Sequence, residues 1–211
     1  MSWPGWLCTS SSTAPTRFGG ERSTIAAPEL TDGDRTALLA LARQAIEAMV
    51  AGGPEPRVPD IPAARQRRGA FVSLHEAGGD LRGCIGHVQS DDPLGEVIRQ
   101  VAVSAAQRDP RFPPVTREEL ADLRIEISVL SEPVRVPSAQ PDRIVIGRDG
   151  ILVRNGRAHA VLLPQVAPEH GFGAEAFLDA ACRKAGLARG SWREPGGATQ
   201  VFTFTADIFA E

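Results

Sequence analysis

Residues 69–88 read "GAFVSLHEAGGDLRGCIGHV", and this stretch constrains the fold more than any other. Apolar and other residues alternate on both sides of "EAGGD", and a period of two is the mark of a β-strand with one face buried. The glycine-rich break between the two runs is turn chemistry, so the stretch predicts an antiparallel hairpin. Along its second strand alternate residues share a face. Arg82, Cys84 and Gly86 project one way, and Leu81, Gly83, Ile85 and His87 the other. Glycines inside a strand weaken it, so Gly83 and Gly86 predict a bend, a bulge, or a place where a ligand or another backbone comes close.

The flanking sequence supplies helices and further strands. From "TDGD" a helix begins, with Leu38, Leu39, Ala42, Ala45, Ile46 and Met49 at three- and four-residue steps, and Gly52 and Gly53 end it. After the hairpin, Asp92 is the expected cap and Pro93 the first residue of a helix whose apolar face is Leu94, Val97, Ile98, Val101 and Ala105. Asp109-Pro110 stops it. "LRIEISVLSEP" alternates as a half-buried strand, and Asn155-Gly156 is the strongest two-residue hairpin cue in the chain. A helix over 174–185 places Phe177, Leu178, Ala181 and Cys182 inward before Gly186, and "TQVFTFTAD" is a late strand. With no repeating strand-helix-strand crossover, the class is α+β, an antiparallel β-sheet flanked by helices. The organisation expected is a flexible tail over 1–24 and a single domain over 25–211, long enough for two lobes.

Composition narrows function by exclusion. A net charge of −3 and a pI near 5.9 argue against binding that neutralises phosphates, so nucleic acid is an unsupported partner. Lys184 is the only lysine, a bias that explains the arginine count and leaves each arginine to be judged by position. No apolar run is long enough to span a bilayer, and Cys8, Cys84 and Cys182 are odd in number and scattered, which fits a soluble chain in a reducing cytoplasm. Phosphate-loop, dinucleotide and serine-elbow motifs are absent.

The candidate chemistry centres on Cys84. A guanidinium beside a thiol favours the thiolate, so Arg82 and Cys84 on one face read as an activated thiol in a tight backbone pocket. The plainer reading is a buried cysteine next to an outward arginine. Cys84 and His87 form a C-x-x-H spacing, but three apart on a regular strand they face opposite ways, and no second metal-ligand pair accompanies them. In "RDPRFPP", Arg111 could clamp a carboxylate or phosphate, or pair locally with Asp109 to lock the turn. Glu126 and Ser128 lie on the polar side of their strand, lining a cleft or facing solvent. Gln165, after a proline at a strand end, is placed to hydrogen-bond at a cleft. Cys182, on an apolar helix face, reads as core, with a redox pair to Cys84 open only on close approach.

Taken together, "FVSLHEAGGDLRGCIGHV", "AAQRDPRFPPVTREELADLRIEISVLSEP", "IVIGRDGILV", "VLLPQVAPEHGF", "FLDAACRKAGL" and "SW" resemble the AMMECR domain family, and especially its bacterial branch, the A proteins of the AmmeMemoRadiSam system. The likeness runs in order over about 30–209, with LRGCIG at 81–86 as its most specific motif. It implies an α+β fold of two unequal lobes with a cleft near the LRGCIG strand. It also implies partners, a Memo-type protein and a radical S-adenosylmethionine protein, in the modification of some biomolecule, and it names no cofactor. By motif, the positions of interest are Arg82, Gly83, Cys84, Gly86, Asp109, Arg111, Glu126, Gln165 and Cys182. Two functions are expected to compete: an enzyme or enzyme subunit with Cys84 as its thiol, and a binding or adaptor module in which the LRGCIG strand is structural.

Overall fold

A computed structural model describes residues 9–10, 29–137, 140–194 and 196–211; the proposed tail and Cys8 lie outside the described residues, apart from the backbone of Thr9–Ser10. The chain divides into two compact units, one ending at Val129 and completed by Asp207–Glu211, the other running over Leu130–Ala206.

The first unit stacks two helices on one face of a sheet. Helix α1 (Asp32–Ala51) starts at Thr31, whose hydroxyl accepts the Asp34 N–H while the Asp34 carboxylate accepts the Thr31 N–H, a reciprocal box that satisfies two otherwise orphaned donors. It ends at Gly52, whose φ of 67° suits a residue without a Cβ. Strands β2 (Ala70–His75) and β3 (Leu81–His87) form the expected hairpin, followed by helix α2 (Leu94–Gln107) and strand β4 (Arg124–Leu130). Pro93, not Asp92, stands at the cap of α2, and the Asp92 N–H instead donates to Ser90 Oγ at 3.1 Å.

The sheet order is β1-β3-β2-β4-β9, with β1 (Thr9–Ser10) parallel to β3 and β9 (Ala206–Ala210) at the far edge. Register is set by the apolar face: Val72 pairs with Ile85 and with Ile127, and all three pack against Leu38, Ile46, Ile98 and Val101 of the helices. The chain end is tied down, because Arg43 of α1 holds the Glu211 carboxylate and donates to the Leu120 and Leu123 carbonyls at 3.0 and 2.6 Å.

The second unit has a wholly antiparallel sheet in the order β5-β8-β6-β7, from Val134–Val136, Gln200–Phe204, Gly150–Asn155 and Ala158–Leu162. The β6–β7 turn falls where the Asn155-Gly156 cue puts it but one residue later in register: Asn155 still pairs with Ala158, and the loop is Gly156-Arg157, with Gly156 at φ 59°. Strand β5 has no sequence signature, since three residues between prolines carry too short a pattern to read. Helices α3 (Val166–Glu169) and α4 (Ala174–Lys184) follow β7, and Phe177, Leu178, Ala181 and Cys182 pack with Ile151, Val153 and Leu162. The α+β architecture is thus established, and no helix among the described residues is long and apolar enough to cross a membrane.

Candidate functional site

One face of the first sheet is claimed by the helices, and the other carries the polar residues. Residues paired across strands share a face, so Gly86–Phe71–Ser128 form one row over β3, β2 and β4, and Cys84–Ser73–Glu126 form the next. A thiol-bearing residue, a hydroxyl and a carboxylate therefore stand in line, with adjacent strands about 4.8 Å apart. Ser73 and Ser128 are buried with Cys84, although an antiparallel sheet commonly leaves such a face to solvent.

The Cys84 backbone turns its polar groups away from β2. Its N–H donates to Asp109 Oδ2 at 2.9 Å, and Arg111 Nη2 approaches its carbonyl at 3.5 Å. Ser73 and Cys84 are therefore a non-hydrogen-bonded pair, the kind whose side chains stand closer, and the Ser73 hydroxyl donates to Cys84 Sγ at 3.2 Å. Cys84 is disulfide-bonded in the structure, in contrast to the free thiol that three scattered cysteines predict, so a thiolate exists only after reduction. Cys182 is free and buried in the second unit, and no Cys84–Cys182 redox pair forms.

Arg82 does not serve Cys84 as its spacing suggests. Pairing passes from Leu74–Gly83 to His75–Leu81, which leaves Arg82 as the extra residue of a β-bulge, a device that re-aims side chains. Its Nε and Nη2 donate to the Glu119 carboxylate at 2.6 and 3.2 Å, and no hydrogen bond from it reaches Cys84. Those bonds hold Glu119 below the usual carboxylate range. The bulge lies before Gly83, so the strand is regular over 83–87 and His87 faces away from Cys84. Burial pushes the His87 imidazole down against the pull of Asp92.

The "DPRFPP" turn is locked by its own pair. Asp109, with 1% of its side chain exposed, accepts the Arg111 N–H at 3.1 Å, Nε at 2.9 Å and Nη2 at 2.6 Å. Burial pushes Asp109 up, but the Arg111 and Cys84 donors outweigh it and hold the carboxyl below its ordinary value. The aromatic ring between these groups links the two arginines: the guanidinium carbons of Arg82 and Arg111 lie 5.9 and 5.3 Å from the Phe112 centroid.

The motif glycines have packing reasons. A Cβ at Gly83 would lie 2.3 Å from the Ala105 carbonyl of α2, and one at Gly86 would lie 2.3 Å from the Phe71 ring. Both record close approach by the protein itself.

The structure thus gathers Arg82, Gly83, Cys84, Gly86, Asp109, Arg111 and Glu126 into one neighbourhood of the first unit. Gln165 lies in the second unit at the cap of α3, its side-chain oxygen buried without a partner. Ser73, Phe112 and Glu119 join the site unannounced. Ser73 is the polar interruption of "FVSLH", which was a usable signal, while Glu119 reaches Arg82 from a 3-10 turn 37 residues away and has no local signature.

Comparison with known proteins places these residues in a wider set. The AMMECR1 family model matches residues 39–209. A protein of Methanothermobacter thermautotrophicus is 47% identical over 191 residues, covering 88% of this chain and 97% of that protein. One from Thermofilum pendens is 41% identical over 189 residues, covering 82% of this chain and 88% of its own length. The crystal structure of an uncharacterized protein, PH0010, from Pyrococcus horikoshii superposes with a TM-score of 0.77 at 40% identity, covering 82% of this chain and 89% of that one. With its hairpin, its LRGCIG strand and its DPRFPP turn in one matched span, this chain belongs to the AMMECR1 family.

Proposed function

We propose that this protein is an enzyme or enzyme subunit in a biomolecule-modifying system of the bacterial AmmeMemoRadiSam type, working in the cytoplasm with a Memo-type and a radical S-adenosylmethionine protein. Its working site is the Cys84 row, with reduced Cys84 as nucleophile or transient covalent carrier. The observation that supports this most is the Ser73 hydroxyl 3.2 Å from Cys84 Sγ on a buried polar face. A hydroxyl donor stabilises a thiolate more than a thiol and so takes the role that spacing had suggested for Arg82. Arg82, Asp109 and Arg111 fix the strand edge around the sulfur, and Glu126 ends the row.

A second reading, a non-catalytic binding or adaptor module, is favoured by the glycines, since the contacts of Gly83 with α2 and of Gly86 with Phe71 account for both by packing. The two separate in a reconstituted three-protein assay under reducing conditions. Cys84→Ala is expected to abolish turnover while leaving the fold and the complex intact. Full turnover by Cys84→Ala would reject the enzyme reading and leave the adaptor.

A further inference from the structure

We propose that Arg82, not Arg111, is the ligand-holding arginine of this site, and that the group it takes is an uncharged carbonyl oxygen. The proposal rests on reading the Cys84 row as a working site and adds the ligand class.

The sequence leaves Arg111 open to two roles, a clamp for a carboxylate or phosphate and a local lock on Asp109. In the structure Arg111 spends its backbone N–H, Nε and Nη2 on Asp109, the geometry of a turn lock. Arg82 is 5% exposed and differs in one respect: its Nη1 is buried without a hydrogen-bond partner. A guanidinium carries five N–H donors in a rigid plane. Glu119 occupies the Nε–Nη2 edge, so both hydrogens of Nη1 point away from that carboxylate. Leaving a charged donor buried and unmet costs more than leaving a neutral one, and such orphans in native proteins call for an acceptor.

Charge decides the kind of acceptor. Arg82 is matched by Glu119 and Arg111 by Asp109, so these two pairs are already neutral, and the further carboxylate of the neighbourhood, Glu126, adds no positive charge for an anion to meet. A buried carboxylate or phosphate would leave an uncompensated negative charge, which a low-dielectric site opposes. A carbonyl oxygen of an amide, ester or nucleobase satisfies Nη1 and adds no charge. Glu119 and Phe112 hold the guanidinium in place beforehand, which lowers the ordering cost of binding.

Crystals of the full chain grown with acetamide, with acetate and with neither test this directly. Acetamide oxygen within hydrogen-bond distance of Nη1 is the expected result. Acetate there with acetamide absent would overturn the assignment of an uncharged ligand, and a water or a protein acceptor at Nη1 in all three crystals would overturn the site. In solution, acetamide titrated by NMR should bind Arg82→Lys about tenfold more weakly, because lysine lacks the fork. Should Arg82→Lys fail to fold, the crystals of the unaltered chain decide. Acetamide binding is also measured on Cys84→Ala: binding retained there, with turnover also retained, rejects the thiol reading and leaves this proposal standing.

Discussion

Among the described residues each unit buries one cysteine close to one aspartate, and the two neighbourhoods differ in what they leave unbonded. In the second unit Asp179 and Cys182 lie three apart on α4. Asp179 accepts from Arg189 Nε at 2.9 Å, Gly190 N–H at 3.0 Å and Trp192 Nε1 at 2.8 Å, which stitches the following turn to the helix. Its arginine partners are outward, with Arg189 84% and Arg193 44% exposed at the side chain. Cys182 sits in the apolar core and burial pushes its thiol up. In the first unit Asp109 and Cys84 come from different elements, and the arginine of the cluster without a full set of acceptors is itself buried. One cluster is a closed structural tie and the other holds a donor in reserve. Burial of a cysteine beside a carboxylate therefore carries no function by itself.

The largest expected effect separates the two aspartates. Asp109→Asn strips the charge from a buried pair and should cost about 3–5 kcal/mol. Asp179→Asn, whose arginines reach solvent, should cost about 1–3 kcal/mol. Urea unfolding of both variants checks this, and equal losses would erase the distinction. Next comes backbone packing. Gly83→Ala drives a methyl into the Ala105 carbonyl and should cost about 1–3 kcal/mol or more, whereas Gly173→Ala, with open space around its Cβ position, should shift the thermal midpoint little. An unchanged midpoint for Gly83→Ala would mean that α2 yields easily, and the packing account of the glycine would fail.

How far this was readable from sequence follows from the range of the forces involved. The hairpin, both long helices and the Asn155 turn are written in period and turn chemistry, which act within a few residues. The motifs mark Cys84 and Asp109 separately, and nothing local shows that the Asp109 carboxylate takes the Cys84 N–H 25 residues away. Arg82 shows the limit most clearly. Strand alternation put it beside Cys84, yet a bulge and the distant Glu119 carboxylate redirect it, and a single long-range ion pair leaves no periodic trace. The short strand β5 escaped because three residues cannot display alternation.

Acid should test the comparison from the other side. Asp109 and Asp179 are both held below the ordinary aspartate range, because their donors outweigh burial. A carboxyl with a depressed folded-state pKa contributes stability that is fully present above the unfolded value and is lost as pH falls through the folded one. The urea midpoint should therefore hold from neutrality to about pH 4 and decline below it. Asp109→Asn and Asp179→Asn should each flatten that decline. A decline unchanged in both would place the acid-sensitive groups elsewhere.

The smallest effect on stability, and the most selective, belongs to Ser73→Ala. It removes one neutral hydroxyl donor to sulfur, so unfolding free energy should fall by only about 0.5–1.5 kcal/mol. In the reduced protein the consequence for chemistry is larger, because the thiolate of Cys84 loses its donor while that of Cys182 does not. The pH at which Cys84 alkylates half-maximally should rise in Ser73→Ala, and Cys182 should keep its slow, burial-limited rate in both proteins. Arg82→Lys should leave the Cys84 profile where it was, since Arg82 spends its bonds on Glu119. A shift caused by Arg82→Lys and not by Ser73→Ala would return the sulfur to the arginine that strand spacing first assigned to it.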